Sequence, residues 1–241
     1  MTEGQIVRFK IGEAFPADDQ LARWMTIYAM ALNDLLLINR WLIPRLQDEV
    51  TTEPHETFHL GRLAAAHLFE AATFLRKSNK RLAVVREFVA KLDEEPRAAY
   101  ADLLKIGDGG QGKFAKQLKH ARNMVFHYQA LLTGQGEEHE RLKQAMRGHA
   151  DDEREQGITR GKVEDIPPPL TGFRSLFADD IATEMLLPED TEQEMSSFLG
   201  NVAEHSARLM IFGKPAFNQY THTRPAGTWE IEDVPEEPET N

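Results

Sequence analysis

Hydrophobic residues recur at helical spacing through the first two-thirds of the chain. One nearly continuous stripe runs from about residue 53 to 79 and comprises Leu60, Leu63, Ala64, Leu68, Ala71, Phe74 and Leu75. The segment before it, from Pro16 to about residue 48, favours helix and is apolar on almost every side. Such a helix is typical of the middle of a bundle or of a subunit interface. We find no β-hairpin pattern and no internal repeat, so the pattern predicts an all-α fold.

Turn-forming residues divide the rest of the sequence into shorter predicted helices. These are expected at 81–105, 113–132, 137–146 and 177–212. Breaks are expected near Pro96 and Pro188, because proline lacks the amide donor that a helix interior requires. The glycine-rich stretch 107–112 cannot continue a helix and predicts a turn. The acidic residues after Trp229 are expected to fray.

These elements predict an antiparallel helical bundle with an irregular, helix-containing C-terminal extension. The bundle is expected over residues 14–148. A polar stretch at 149–176, with three consecutive prolines, is interpreted as a linker or surface excursion. Residues 177–241 are expected to supply a C-terminal helix and an acidic tail that pack on the bundle.

Composition narrows the function classes. The 241 residues contain no cysteine, which excludes disulfides, thiolate zinc sites and cysteine nucleophiles. The net charge of −11 means that any contact with nucleic acid must be local. The start of the chain lacks the apolar core of a signal peptide. The apolar run 21–46 carries several charged and polar residues, so we expect a cytoplasmic protein without a membrane span.

The predicted helix over 113–132 has a locally basic face. Helical projection places Phe114, Leu118, Ala121, Val125 and Leu132 on one side. The opposite side carries Lys113, Lys116, His120, Asn123 and His127, with Lys119 near them and Arg122 at the shoulder. A cluster of Lys, Arg and His on one rigid element suits a phosphate group. The same pattern is also typical of a solvated helix face, which is the simpler alternative.

Arginine and histidine together are sufficient to cleave RNA without a metal. A neutral imidazole, here that of His127, can remove the proton of a 2′-hydroxyl near neutral pH. A guanidinium, here that of Arg122, can stabilise the charge that develops on phosphorus. The sequence therefore predicts Arg122 and His127 as a candidate catalytic pair, with no cofactor.

A family resemblance supports this interpretation. The string Arg122-Asn123-Met124-Val125-Phe126-His127 resembles the Arg-polar-x-x-x-His motif of the HEPN superfamily, all-α proteins that include many ribonucleases. The triplet 126–128, Phe-His-Tyr, is similar to uncharacterised bacterial members of that superfamily. The segment 67–71 resembles the helix that packs beside the motif helix in those members, and the whole resemblance covers residues 18–135.

The resemblance implies a homodimer in which two copies of the motif form one cleft. Arg122 would contact the scissile phosphate, His127 would act as the acid–base residue, and Asn123 would orient them or the substrate. Residues expected to help bind RNA or a nucleotide are Lys116, Lys119, His120 and Tyr128. An antitoxin-type protein partner is a further expectation. Because some members only bind, a non-catalytic helical module for nucleotide, nucleic acid or protein is the second hypothesis.

A competing motif lies at the start of the second helix. His55-Glu56-Thr57-Phe58-His59 fits the zinc-protease pattern of two histidines one turn apart. Pro54 places His55 in the first turn, no matching third ligand follows, and Glu70 is too far along the helix to share the ion of His59. A di-iron bundle would need a second Glu-x-x-His motif. A metal-dependent bundle enzyme that uses His55, His59 and a histidine from another helix is the third hypothesis.

Two carboxylates on predicted helices are left with open roles. His67 and Glu70 are either a buried or half-buried pair satisfied by neighbours, which we favour, or Glu70 faces Arg122 and holds its guanidinium. Asp34, beside Asn33 in the apolar first helix, should have a partner as well, whether structural or at the site.

Overall fold

The structure, a computed structural model, describes residues 5–47, 54–126, 137–148, 158–160, 173–175, 182–187 and 192–233. The helices are α1 (Ile11–Ala14), α2 (Gln20–Gln47), α3 (Pro54–Arg81), α4 (Ala83–Val89), α5 (Glu94–Ile106), α6 (Lys113–Phe126), α7 (Glu137–Gly148), α8 (182–186) and α9 (Glu192–Thr221). The strands are β1 (Gln5–Phe9), β2 (Ile158–Arg160), β3 (Phe173–Ser175) and β4 (Trp229–Asp233). The predicted all-α helical bundle is confirmed.

Helix α3 is the centre of the bundle and packs against α2, α5, α6 and α9. Its fully buried positions are mostly small, namely Ala64, Ala65, Ala66, Leu68, Ala71, Ala72 and Leu75. Small side chains let neighbouring helix backbones approach closely, so one helix can be covered on several sides. The predicted apolar stripe of this helix therefore marks the core of the fold.

Asp19 marks the beginning of α2. Its Oδ1 accepts hydrogen bonds from the backbone amides of Leu21 (2.7 Å) and Ala22 (3.1 Å), as an N-cap residue does. Its Oδ2 accepts a further bond from Arg224 (2.6 Å). Partial burial alone would raise the pKa of Asp19, but these hydrogen bonds outweigh it and hold the pKa below its usual range.

Helix α9 belongs to the same core and is longer than predicted. It continues past Gly213 and Pro215 to Thr221, whereas the sequence pattern ended it near residue 212. The reason is tertiary packing, because Ala216 and Tyr220, one turn apart on this extension, are fully buried. The prediction was wrong here because glycine and proline are tolerated in a helix whose face is buried.

The break that was predicted near Pro96 is present, a few residues before the proline. This residue is the third residue of α5, where a proline costs no intrahelical hydrogen bond. The chain leaves helical geometry between Val89 and Glu94, which separates α4 from α5.

Short strands occur where none were predicted. β1 pairs antiparallel with β4, with Phe9 opposite Trp229. The residues after Trp229 were expected to fray, but they are paired in this strand as far as Asp233. β2 and β3 pair within the segment interpreted as a linker, with Thr159 opposite Arg174. The local pattern missed these strands because they are short and their partners are distant in sequence.

One helix in the described part of the chain, α2, is long and apolar enough to cross a membrane by length and composition. Of its most apolar window, 39% is buried inside the bundle. A core helix meets the same criterion, so this property is a weak indication in either direction, and the cytoplasmic location stays a prediction.

Candidate functional site

The contact between α3 and α6 contains a hydrogen-bonded ion pair between Glu70 and Arg122. Arg122 Nε donates to Glu70 Oε1 at 2.5 Å, and Arg122 Nη1 donates to Asn123 Oδ1 at 3.2 Å. The side chains of Arg122 and Glu70 are 31% and 45% exposed. Two acceptors thus orient a guanidinium that solvent, or a ligand, can still reach.

A second contact extends the same surface toward α2. His67 lies one turn before Glu70 on α3, and its Nδ1 is 3.5 Å from Asp34 Oδ2. The ring of His67 meets the ring of Phe126 edge to face, with 5.2 Å between ring centroids. We call Asp34, His67, Glu70, Arg122, Asn123 and Phe126 together the Arg122 cluster.

The contacts in the Arg122 cluster show which partners Glu70 and Asp34 have, which the sequence left open. Glu70 faces Arg122, which is the alternative we favoured less, and His67 and Asp34 contact each other across α2 and α3. Phe126 was not predicted to take part. Its position one turn after Arg122 on the same helix is the signal that could have identified it.

The motif histidine is not described. His127 and Tyr128 follow Phe126 directly and lie outside the described residues. Their predicted roles in acid–base chemistry and in binding therefore stay predictions.

The predicted position of His120 on an exposed basic face is wrong. His120 is only 5% exposed, and Gln117 and Met124 on the same side of α6 are also buried. The buried arc of α6 is wider than the predicted stripe, because α6 packs on α3 while Phe114 also contacts the ring of Phe198 on α9. His120 is thus a residue of the packed interior.

The basic face of α6 is consequently narrower than expected. Lys116 and Lys119 are exposed as predicted. Lys113, by contrast, forms an ion pair with Glu194 on α9, with 2.7 Å between Nζ and Oε1. Lys116 and Lys119 stand one turn apart and lie on the helix that carries Arg122.

The alternative metal site has little support in the described part of the chain. His59 is exposed, and its Nδ1 lies 3.1 Å from Nη2 of Arg62, a cation that disfavours a metal ion nearby. The side chains of His55 and Glu56 lie outside the described residues. Among the residues that are described, no group of three His, Asp or Glu side chains is placed to hold a metal.

Comparisons with other proteins do not assign a family. No protein-family model matches the chain. No curated protein and no solved structure is significantly similar to it.

Proposed function

We propose that the protein is a metal-independent, HEPN-like endoribonuclease in which Arg122 binds the scissile phosphate and His127 is the acid–base residue. The observation that carries the proposal is the Glu70–Arg122 ion pair, which orients a partly exposed guanidinium five positions before His127. A pre-oriented donor stabilises developing charge without reorganisation during the reaction.

The proposed reaction is a transesterification within the RNA. Neutral His127 removes the proton from the 2′-hydroxyl, whose oxygen attacks the adjacent phosphorus. The bond from phosphorus to the 5′-oxygen breaks, and a proton passes to that oxygen. The products are a 2′,3′-cyclic phosphate and a 5′-hydroxyl. Arg122 supports this step by stabilising the equatorial oxygens with its planar set of donors.

Lys116 and Lys119 provide the local charge that an acidic protein needs to hold RNA. Both are exposed and lie on α6 before Arg122. Contacts from such lysines would be to phosphates and thus insensitive to base sequence. Binding should therefore weaken steeply as salt rises.

A second copy of the chain is proposed as the protein's partner. Exposed apolar residues of α2 support this proposal. Four large apolar residues of α2 are 47–64% exposed: Ile27, Met30, Leu37 and Trp41. Together with Asp34 they recur every three or four residues and make one stripe on the helix. Because Asp34 contacts His67, a copy that covers this stripe would lie beside the Arg122 cluster.

A non-catalytic binding module is the second candidate function. The observation that favours it is the same ion pair, because Glu70 neutralises much of the charge of Arg122. In that case the exposed lysines would bind a polyanion that is never cleaved.

Cleavage of a labelled single-stranded RNA in the presence of EDTA tests the proposal. The wild type should give fragments that end in a cyclic phosphate, and Arg122→Ala and His127→Ala should abolish them. Arg97→Ala and His222→Ala remove exposed residues of the same types from other elements and should cleave normally. Equal cleavage by His127→Ala, or wild-type binding without cleavage, would overturn the nuclease proposal.

A further inference from the structure

An apolar cavity of about 400 Å³ lies where the two ends of the described chain meet. Its walls include five aromatic rings and one aliphatic side chain, those of Phe9, Phe15, Phe217, Tyr220, Trp229 and Ile11. This volume is within the range of small-molecule sites, about 300–1,000 Å³. The cavity is distant in sequence from the motif of α6 and has no part in the proposed nuclease reaction.

The cavity wall carries almost no polar groups. Thr26 and Thr221 line it, but their hydroxyls donate to the carbonyls of Ala22 (2.9 Å) and Asn218 (2.6 Å) in their own helices. None of the described lining residues is charged. A ligand with a formal charge would lose its hydration there without a compensating partner.

The rings are arranged edge to face around the cavity. Phe9 and Trp229 are 4.9 Å apart between centroids at an interplanar angle of 60°, and Phe15 and Trp229 are 5.9 Å apart at 86°. Phe15 in turn stacks on Tyr220 at 5.3 Å. Aromatic rings favour these relative orientations, so a further flat ring can extend the same packing.

The walls are held in place by contacts of their own. Tyr220 donates a hydrogen bond to the carbonyl of Ala14 at 2.8 Å, which joins α9 to α1. Arg224 lies over the ring of Tyr220 at 4.5 Å and bonds Asp19 at 2.6 Å. The cavity is thus preorganised, which lowers the ordering cost of binding a ligand.

The rim of the cavity is open to solvent. Ile11 is 74% exposed and Phe9 is 43% exposed there, so apolar surface continues from the cavity to solvent. An apolar ligand can therefore enter the cavity from this side.

We propose that this aromatic cavity binds an uncharged small molecule with a flat aromatic ring system. The apolar wall disfavours a charged ligand, and the edge-to-face rings favour a flat one. The site is independent of the Arg122 cluster, so it stands whether or not the protein cleaves RNA.

A matched pair of fluorescent probes tests the proposal on the full chain. N-phenyl-1-naphthylamine is uncharged, and 1-anilinonaphthalene-8-sulfonate differs from it by one sulfonate group. The uncharged probe should bind saturably at one site per chain and at least about tenfold more tightly than the sulfonate. Equal binding of the two probes, or no saturable binding of the uncharged one, would overturn the proposal.

Variants locate the site. Thr26 is exposed on α2 at the cavity wall, so Thr26→Trp fills the cavity without disturbing the core and should weaken binding at least about tenfold. Thr26→Val keeps the shape and should bind like the wild type. Leu37→Glu, on the exposed stripe of α2, should not affect the probe. Loss of binding in Leu37→Glu with retention in Thr26→Trp would place the probe on the helix surface and refute the cavity.

Trp229 supplies a second readout that does not depend on affinity. Excitation of tryptophan should transfer energy to the bound naphthylamine, and Trp229→Phe should reduce this transfer while the probe still binds. Trp41→Phe, on the exposed stripe of α2, is the matched control and should change the transfer less. The reverse order of effects would contradict the proposed site.

Discussion

Glu70 and Arg122 join α3 to α6 through a hydrogen-bonded ion pair in which both side chains stay partly exposed. Ion pairs at this level of exposure contribute about 0–1 kcal/mol to folding, because water and salt screen them. Orientation of the guanidinium is therefore the greater effect of the pair. A substitution in this pair can therefore distinguish, by experiment, an effect on folding stability from an effect on function.

Glu70→Gln keeps the size and the acceptor oxygen of the side chain but removes its charge. We expect kcat for RNA cleavage to fall about tenfold or more, since a displaced guanidinium stabilises the transition state less well. KM and the free energy of unfolding should change little. Single-turnover kinetics and urea denaturation measure these quantities.

Glu140→Gln is the control for that variant, because it removes an exposed glutamate–lysine pair with Lys143 on α7. It should leave both cleavage and stability unchanged. A normal kcat in Glu70→Gln would show that this carboxylate does not position Arg122.

The exposed stripe of α2 predicts a dimer that a single charge can disrupt. Leu37 is 64% exposed at the middle of the stripe, and Leu37→Glu should convert a dimer to a monomer in light scattering. The reason is that a buried, unpaired carboxylate at an apolar interface is strongly unfavourable. Met210→Glu alters a residue of α9 that is 40% exposed and should leave the mass unchanged. A monomeric wild type would refute this prediction.

Gly107 lies where α5 ends against the backbone of α3. A Cβ atom at this position would stand 2.7 Å from the carbonyl carbon and oxygen of Ala72. Because a backbone cannot yield as a flexible side chain does, Gly107→Ala should lower the free energy of unfolding by about 1–3 kcal/mol. Gly200→Ala is the control, since open space surrounds this exposed helical position, and it should raise stability by up to about 1 kcal/mol. Urea denaturation distinguishes these outcomes, and equal effects would refute the close contact.

We expect the folded protein to lose stability in mild acid because of His205. Burial lowers the pKa of His205 below its ordinary value of 6.5, against the opposing effect of its hydrogen bond to the carbonyl of Asn201. Arg208 lowers the pKa further, whereas Glu204 and Asp102 raise it. The folded state thus binds fewer protons than the unfolded state just below pH 6.5, so stability falls as the pH decreases through that region.

The measurement is the melting temperature as a function of pH for wild type and His205→Gln. The decline between about pH 7 and about pH 5 should be shallower in the variant, because the group that takes up the extra proton on unfolding is gone. His222→Gln removes an exposed histidine and should follow the wild type. Identical slopes for all three proteins would contradict the assignment to His205.

The sequence predicts the helices well where one face is buried along the whole element. The stripe of α3 is an example, because helical periodicity is a local property. The end of α9 and the pairing of β1 with β4 depend on contacts between residues far apart in sequence. No local pattern specifies them.

The candidate site was also predictable only where local sequence determines it. The residues of the motif were identifiable from sequence, but the contact of Arg122 with Glu70, rather than with another carboxylate, depends on how α3 and α6 cross. The burial of His120 arises because α6 is covered on more than one side. A helical projection assumes one buried face and misplaces such a residue.

The hydroxyl of Tyr28 donates to the backbone carbonyl of Leu209 at 2.5 Å in the interior between α2 and α9. This bond fixes the rotational setting of α2 about its long axis, because turning the helix would leave the buried hydroxyl of Tyr28 without an acceptor. The outward side chains of the helix consequently cannot swing inward to escape solvent. A partner that binds this face therefore meets a helix whose rotational setting is already fixed, so binding does not require the helix to reorient.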